Sequence, residues 1–139
     1  MQTPINLWIW RYKSSRYDGY HLFADEEVCR LLLTHLADPD FKKISFGLRL
    51  VDPRMPLIRA PVDVKYLAFD RLRLFKDSEA KEPVRWEEEG SRLDLYINGK
   101  DRLAEGLSYM LEGQWDFSIE SISYWGLMSD TEYRKRYSN

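Results

Sequence analysis

Cysteine and histidine are scarce in this chain, which has one cysteine, Cys29, and two histidines, His21 and His35, among 139 residues. A single thiol cannot form an internal disulfide, and its isolation fits a reducing compartment. So few side chains cannot assemble a Cys/His zinc site, and the sequence contains neither an H-E-x-x-H nor a C-x-x-C motif. We therefore expect no metal.

Glycine motifs and long apolar runs are also lacking. The seven glycines are scattered, without the G-x-G-x-x-G, Walker A or G-x-S-x-G spacing, which excludes nucleotide cofactors bound by those loops. No run approaches the roughly 18 apolar residues of a membrane-spanning helix, and the first residues do not resemble a signal peptide. The formal charge of -2 supplies no global attraction to nucleic acid or membranes. We expect a cytoplasmic protein without a cofactor and without membrane contact.

Aromatic residues are abundant: five Trp, nine Tyr and six Phe. Many fall in "LWIWRYKSSRYDGYHLF", residues 7–23, whose first part is apolar on both parities and so predicts a strand covered on both faces. We assign Trp8 and Trp10 to a core. The Asp18-Gly19 pair predicts a tight reversal, which with two turn residues would place Arg16 opposite His21. The reversal is free to present Arg16, Tyr17 and Asp18 to a partner.

Two amphipathic helices are predicted. The first covers residues 25–37, capped by Asp25, with Val28, Leu31, Leu32 and Leu36 on its apolar side. The second follows Asn98 as its cap and ends near Gly113, with the stripe Leu103, Leu107, Met110 and Leu111.

Alternating apolar residues predict the strands. They occur in residues 42–50, in residues 62–75 with an interruption at Asp70, and in a hairpin formed by residues 84–88 and 92–97. A last strand covers residues 115–125, where the parity slips between Ile119 and Ile122 and suggests a bulge.

The element order predicts an α+β fold in one domain, residues 1–139. We expect a single antiparallel sheet of about five to seven strands with two helices packed on one face. The specific candidate topology is the split βαβ (ferredoxin-like) arrangement with an inserted hairpin.

Three isolated side chains are of types that can take part in chemistry. Cys29 borders the apolar side of the first helix and is interpreted as a small buried hydrophobe, and His35 in the last turn as a structural residue. Asp70 is a candidate buried acid, because the alternation points it towards the core. Either a bulge turns it to solvent or it pairs with Arg71, Arg73 or Arg49.

Two charged segments each have a binding interpretation and a structural one. Residues 41–75 are locally basic, but no K/R-G-F/Y-G/A-F-V-x-F/Y string is present. The positions predicted to point outward are Ser45, Gly47, Arg49, Lys65, Arg71, Arg73, Arg92, Asp94 and Tyr96. They resemble a salt-bridge lattice, which argues against nucleic acid. Glu87, Glu88 and Glu89 lie at the predicted hairpin tip. They either keep an edge soluble or form an acidic finger for a basic partner.

A protein-binding function explains these observations best, because Tyr, Trp and Arg are enriched where proteins bind one another. The predicted contact residues are Arg16, Tyr17, Asp18, Glu87, Glu88 and Glu89. In size and lack of motifs the chain resembles bacterial immunity proteins, compact inhibitors that cover a site on a toxin. The alternatives are a structural or self-associating domain that forms a homodimer, and a small enzyme or ligand-binding domain using carboxylates and tyrosines. Whether the chain is an enzyme stays open, with the balance against it.

Overall fold

The computed structural model describes residues 4–13, 19–49, 66–114 and 117–125. Within these ranges the chain forms two helices and nine strands, in the order β1 (Leu7–Tyr12), β2 (Tyr20–Ala24), α1 (Glu26–Ala37), β3 (Lys43–Gly47), β4 (Tyr66–Ala68), β5 (Arg71–Lys76), β6 (Val84–Glu89), β7 (Arg92–Ile97), α2 (Leu103–Leu111), β8 (Phe117–Ile119) and β9 (Ile122–Trp125). The predicted α+β class and the two helices are confirmed. The break between β4 and β5 falls at Asp70, where the interruption was expected.

The strands form two mixed sheets, so the prediction of a single antiparallel sheet is wrong. One sheet has five strands in the order β4-β1-β2-β9-β8, and the other has four in the order β3-β5-β7-β6. Each sheet contains one parallel pair, β2 with β9 and β5 with β7, and its other neighbours are antiparallel.

The two halves of the chain exchange strands, which also overturns the split βαβ arrangement. Each half runs through a hairpin, a helix and a closing antiparallel pair: β1–β2, α1 and β3–β5, then β6–β7, α2 and β8–β9. The closing pair of each half joins the hairpin of the other half. Alternation in a sequence shows which residues face a core but not which strand lies alongside, so this exchange was not predictable.

One hydrophobic core extends through both sheets and both helices. It includes Leu7 and Ile9 from β1, Leu32 from α1, Leu95 from β7 and Leu107 from α2. The helices pack against each other. In the residues that the structure describes, no helix is long and apolar enough to cross a membrane.

The helix ends match the predictions only in part. The Asp25 carboxylate accepts a hydrogen bond from Val28 N at 2.8 Å, as expected of an N-cap. Asn98 is not the cap of α2, since its Oδ1 accepts from Lys100 N and the helix begins at Leu103. The Glu120 carboxylate instead accepts from Arg102 N at the helix start.

The predictions for two hairpins are also wrong. In the first hairpin Trp10, not Arg16, lies opposite His21, so the predicted register is wrong. Residues 14–18 of this reversal lie outside the described residues. Between β8 and β9 the parity slip marks a two-residue turn rather than a bulge, with Glu120 and Ser121 at φ 51° and 65°. Gly19, at φ 90°, approaches that turn so closely that a Cβ would lie 2.7 Å from Ser121 O.

Strand β1 is covered on both faces, as its sequence predicts. Leu7 and Ile9 face the core, whereas Trp10 and Tyr12 are buried on the opposite face. There the Trp10 and His21 rings stack at 5.5 Å, and Tyr12 meets His21 edge-on at 4.8 Å.

Candidate partner-binding surface

The four-stranded sheet turns one face to the core and the other outward. Leu72, Leu74, Leu93 and Leu95 are buried in the core, and the residues between them point the opposite way. The strand register arranges twelve outward positions in three rows, which we call the outer sheet face: Lys43–Phe75–Tyr96–Arg85, Ser45–Arg73–Asp94–Glu87 and Gly47–Arg71–Arg92–Glu89.

The first row is a stack of two rings between two cations. Phe75 and Tyr96 are 4.7 Å apart and inclined by 10°. Lys43 Nζ lies 5.3 Å from the Phe75 ring centre, and the Arg85 guanidinium lies 4.1 Å from that of Tyr96. Cations placed over aromatic faces are attracted by the ring quadrupole, so these contacts hold all four side chains in defined positions.

A buried carboxylate organises the second row. Asp94, whose side chain is 6% exposed, accepts hydrogen bonds from Arg73 Nε and Nη2 at 2.8 and 2.6 Å. Arg92 Nε lies 3.3 Å from the same carboxylate. The hydrogen bonds from Arg73 outweigh burial and hold the pKa of Asp94 below its ordinary value, while the pKa of Arg73 is raised by the same bonds. Asp94 therefore stays ionised and fixes two arginines on the surface.

Positive charge predominates on the outer sheet face, which carries five cations and three carboxylates although the whole chain is at -2. The carboxylates of Glu87 and Glu89 pair with Arg85 and Arg92. Arg71 Nη1 donates to Ser45 Oγ at 3.3 Å. This lattice of ion pairs agrees with the sequence interpretation of these positions.

The three predicted glutamates do not act as one group. Glu87 and Glu89 belong to the outer sheet face, but Glu88 points the other way, with Val84 and Trp86 on its parity. The turn itself consists of Gly90 and Ser91, beyond all three glutamates. An acidic finger of three neighbouring carboxylates is therefore not what the structure contains.

Glu88 joins the two sheets instead. Its carboxylate accepts hydrogen bonds from Arg11 Nε and from Tyr20 Oη, both at 2.6 Å. Tyr20 also stacks on Trp86 at 4.2 Å. Burial by itself would raise the pKa of Glu88, but the bonds from Arg11 and Tyr20 hold it below its ordinary value. The alternation of Val84, Trp86 and Glu88 was the sequence signal for this inward position.

The remaining predicted residues have varied positions. Arg16, Tyr17 and Asp18 lie outside the described residues. Asp70 is exposed and accepts a hydrogen bond from Ser91 Oγ at 2.9 Å. Of the two alternatives for this residue, the structure therefore shows the one in which the side chain faces solvent, and Asp70 is not a buried acid. The buried acid paired with Arg73 is Asp94.

Cys29 and His35 have the structural surroundings that the sequence predicts. Cys29 is fully buried, and burial raises the pKa of its thiol to about 11, which leaves it protonated near neutral pH. His35 lies in the last turn of α1, 6.0 Å from the Phe46 ring. Among the described residues, no group of three or more His, Cys, Asp or Glu side chains could hold a metal ion.

Two cavities lined by described residues lie away from the outer sheet face. The larger, of about 400 Å³, borders the start of α1, where the side chains of Asn6, Asp25 and Arg49 bond one another. The smaller, of about 120 Å³, lies between Leu36, Lys76 and Asp101. Neither brings together a set of unpaired polar groups.

No protein-family model, curated protein or solved structure matches the chain.

Proposed function

We propose that this protein is a small cytoplasmic binding protein of the bacterial immunity or inhibitor type, which blocks a partner protein by covering part of its surface with the outer sheet face. The observation that carries the proposal is the composition of that face. Of its twelve positions, four are arginine and two are aromatic. Arginine and aromatic residues are over-represented among the side chains that dominate binding energy at protein interfaces.

Preorganisation supports the same proposal. Ordering a long side chain on binding costs about 0.5–1.5 kcal/mol, which is avoided where the side chain is already held. Arg73 is fixed by two bonds to Asp94, and Arg85 is held over Tyr96. Because the strands carrying them belong to one sheet, the contact residues keep their spacing.

The experiment is capture of the partner from a lysate of the native host with the purified protein as bait, followed by an activity assay of the captured protein. Wild type should retain and inhibit the partner. The double variant Phe75→Ala, Tyr96→Ala should lose it, because the central stack is removed. The matched control is Leu31→Ala with Tyr66→Ala, which removes the two large exposed apolar side chains found elsewhere in the described residues.

Circular dichroism and urea unfolding should show that both double variants remain folded. Undiminished capture by the Phe75→Ala, Tyr96→Ala variant, or a captured protein whose activity is unaltered, would contradict the proposal. A wild-type dimer in ultracentrifugation that this variant abolishes would favour the self-associating alternative.

A further inference from the structure

Charge is distributed unevenly across the outer sheet face. Its carboxylates stand on β6 and β7, at Glu87, Glu89 and Asp94. Its β3 and β5 positions carry Lys43, Arg71 and Arg73 and no acid. The β3–β5 half is therefore the positive half of the face.

The cations of the two halves also differ in pairing. On β6 and β7, Arg85 and Arg92 each have a glutamate partner on the same face. Within the described residues, Lys43 has no carboxylate partner and Arg71 bonds only the neutral Ser45 hydroxyl. Both side chains are exposed. Two cations therefore have hydrogen-bonding capacity that the described part of the chain does not use.

Arg73 adds a third, fixed cation beside them. Its Nε and Nη2 are bonded to Asp94, which leaves Nη1 available within the described contacts. A guanidinium has five N–H donors and binds carboxylates through paired bonds. The three cations can together receive several carboxylates of one partner segment.

A protein segment fits this surface better than a nucleic acid. Nucleic-acid modules with sheet surfaces stack bases on open aromatic faces. Here each ring of the Phe75–Tyr96 stack has one face on the other ring and its second face under a cation.

We propose that the positive half of the outer sheet face binds an acidic segment of the partner protein, with its carboxylates on Lys43, Arg71 and Arg73. This inference rests on the proposed function, because it names the chemistry of the partner for the same face. Charge complementarity of this kind accelerates association and orients the two proteins as they meet.

The test measures binding of a fluorescent oligoglutamate peptide at low ionic strength by anisotropy, with an oligothymidine of equal charge as the second probe. Wild type should bind the peptide more tightly than the oligothymidine. The variant Lys43→Glu, Arg71→Glu should weaken peptide binding by about tenfold or more, since two attractive contacts become repulsive. The matched control, Arg30→Glu with Lys100→Glu, changes the net charge equally on other exposed sites and should bind the peptide almost as wild type does.

Three results would overturn the inference: no peptide binding by wild type, an equal loss in the control, or tighter binding of oligothymidine. The last would identify the face as a nucleic-acid site. The two proposals can also fail separately. Partner capture that needs Phe75 and Tyr96 but not Lys43 and Arg71 would refute the acidic segment and keep the binding function. Peptide binding without a captured, inhibited partner would keep the site for acidic segments and refute the inhibitor function.

Discussion

Each of the two sheets packs one face on the core, but their other faces differ in how deeply they are buried. In the five-stranded sheet the face away from the core contains Trp10, Tyr12 and His21, which are 0%, 7% and 5% exposed. In the four-stranded sheet the corresponding face buries no aromatic ring. Its buried residues are Asp94 and Gly47, while Phe75 and Tyr96 are half-buried among exposed charges. Aromatic content therefore does not identify a binding surface. In this molecule one aromatic group is buried and the other is half-exposed on the outer sheet face.

The largest expected effect separates the two aromatic groups. Trp10→Ala should lower the free energy of unfolding by about 3–5 kcal/mol, because it removes a fully buried indole. Phe75→Ala should cost only about 1 kcal/mol, since its ring is half-buried and lies on the surface. Urea unfolding measures both losses when it is monitored by backbone circular dichroism, a signal that does not depend on the tryptophan. Equal losses would show that the outer sheet face is as much a part of the interior as the Trp10 face.

A second, smaller effect concerns the acid that organises the charged face. Asp94→Ala should lower the free energy of unfolding by about 1 kcal/mol, because Arg73 and Arg92 lose their shared partner. Glu89→Ala, which removes an acid whose side chain is 77% exposed, should change it by less than about 0.5 kcal/mol. Urea unfolding of both variants tests this. A similar small loss for both would mean that Asp94 behaves as an ordinary surface acid.

The pH dependence of stability sharpens the same point. The pKa of Asp94 is lowered from its ordinary 3.8, so the folded state binds this proton less readily than the unfolded chain does. Its contribution is complete above the ordinary value and is lost as the pH falls below it, towards the lowered pKa. The free energy of unfolding should therefore fall between about pH 5 and pH 3, and less steeply for Asp94→Asn.

Urea unfolding at several pH values in that window measures the slope, with Glu82→Gln, a change at an exposed acid, as the control that should follow wild type. An unaltered slope in Asp94→Asn would assign the acid dependence to other carboxylates, of which Glu105 and Glu88, both with a lowered pKa, are the first to examine.

The smallest expected effect compares a hairpin turn of each sheet. The β6–β7 turn places Gly90 at φ 61°, whereas the β8–β9 turn places Ser121 at φ 65°. Ser121→Gly should stabilise the protein by up to about 1 kcal/mol, and Gly90→Ala should destabilise it by about as much. Thermal unfolding scans of the two variants should show shifts in opposite directions. A lower midpoint for Ser121→Gly would show that the serine side chain contributes more than the relieved backbone strain.

Local features of the fold were predictable from the sequence, and long-range ones were not. The Asp25 cap, most of the helix stripes, the two-faced β1 strand and the break at Asp70 depend on neighbouring residues, which the sequence displays directly. Leu31 is the exception, because it was predicted on the apolar side of α1 but is 37% exposed. The exchange of strands depends on which strand pairs with each sheet edge, and the alternation of apolar residues does not specify that partner. The burial of Asp94 was not predictable for the same reason, because the arginine side chain that covers it comes from a different strand.

The candidate surface was predictable to a similar extent. The alternation placed Arg71, Arg73, Arg92, Asp94 and Tyr96 on one outward face, and the structure confirms that side for all five. The stack of Phe75 on Tyr96 was missed because it needs the register of two parallel strands. Glu88 shares its parity with Trp86, and this parity separates it from Glu87 and Glu89 on the strand.

The exchange of strands between the halves also bears on the order of events during synthesis. Strand β2 is made long before β9, yet Tyr20 pairs with Ile122 in the middle of the five-stranded sheet. Until the ribosome has released β9, the inner edge of the first hairpin has no partner and exposes unpaired backbone groups. Completion of the five-stranded sheet must therefore wait until β9 has been made, and a nascent chain stalled before Ile122 should depend on chaperones for its solubility.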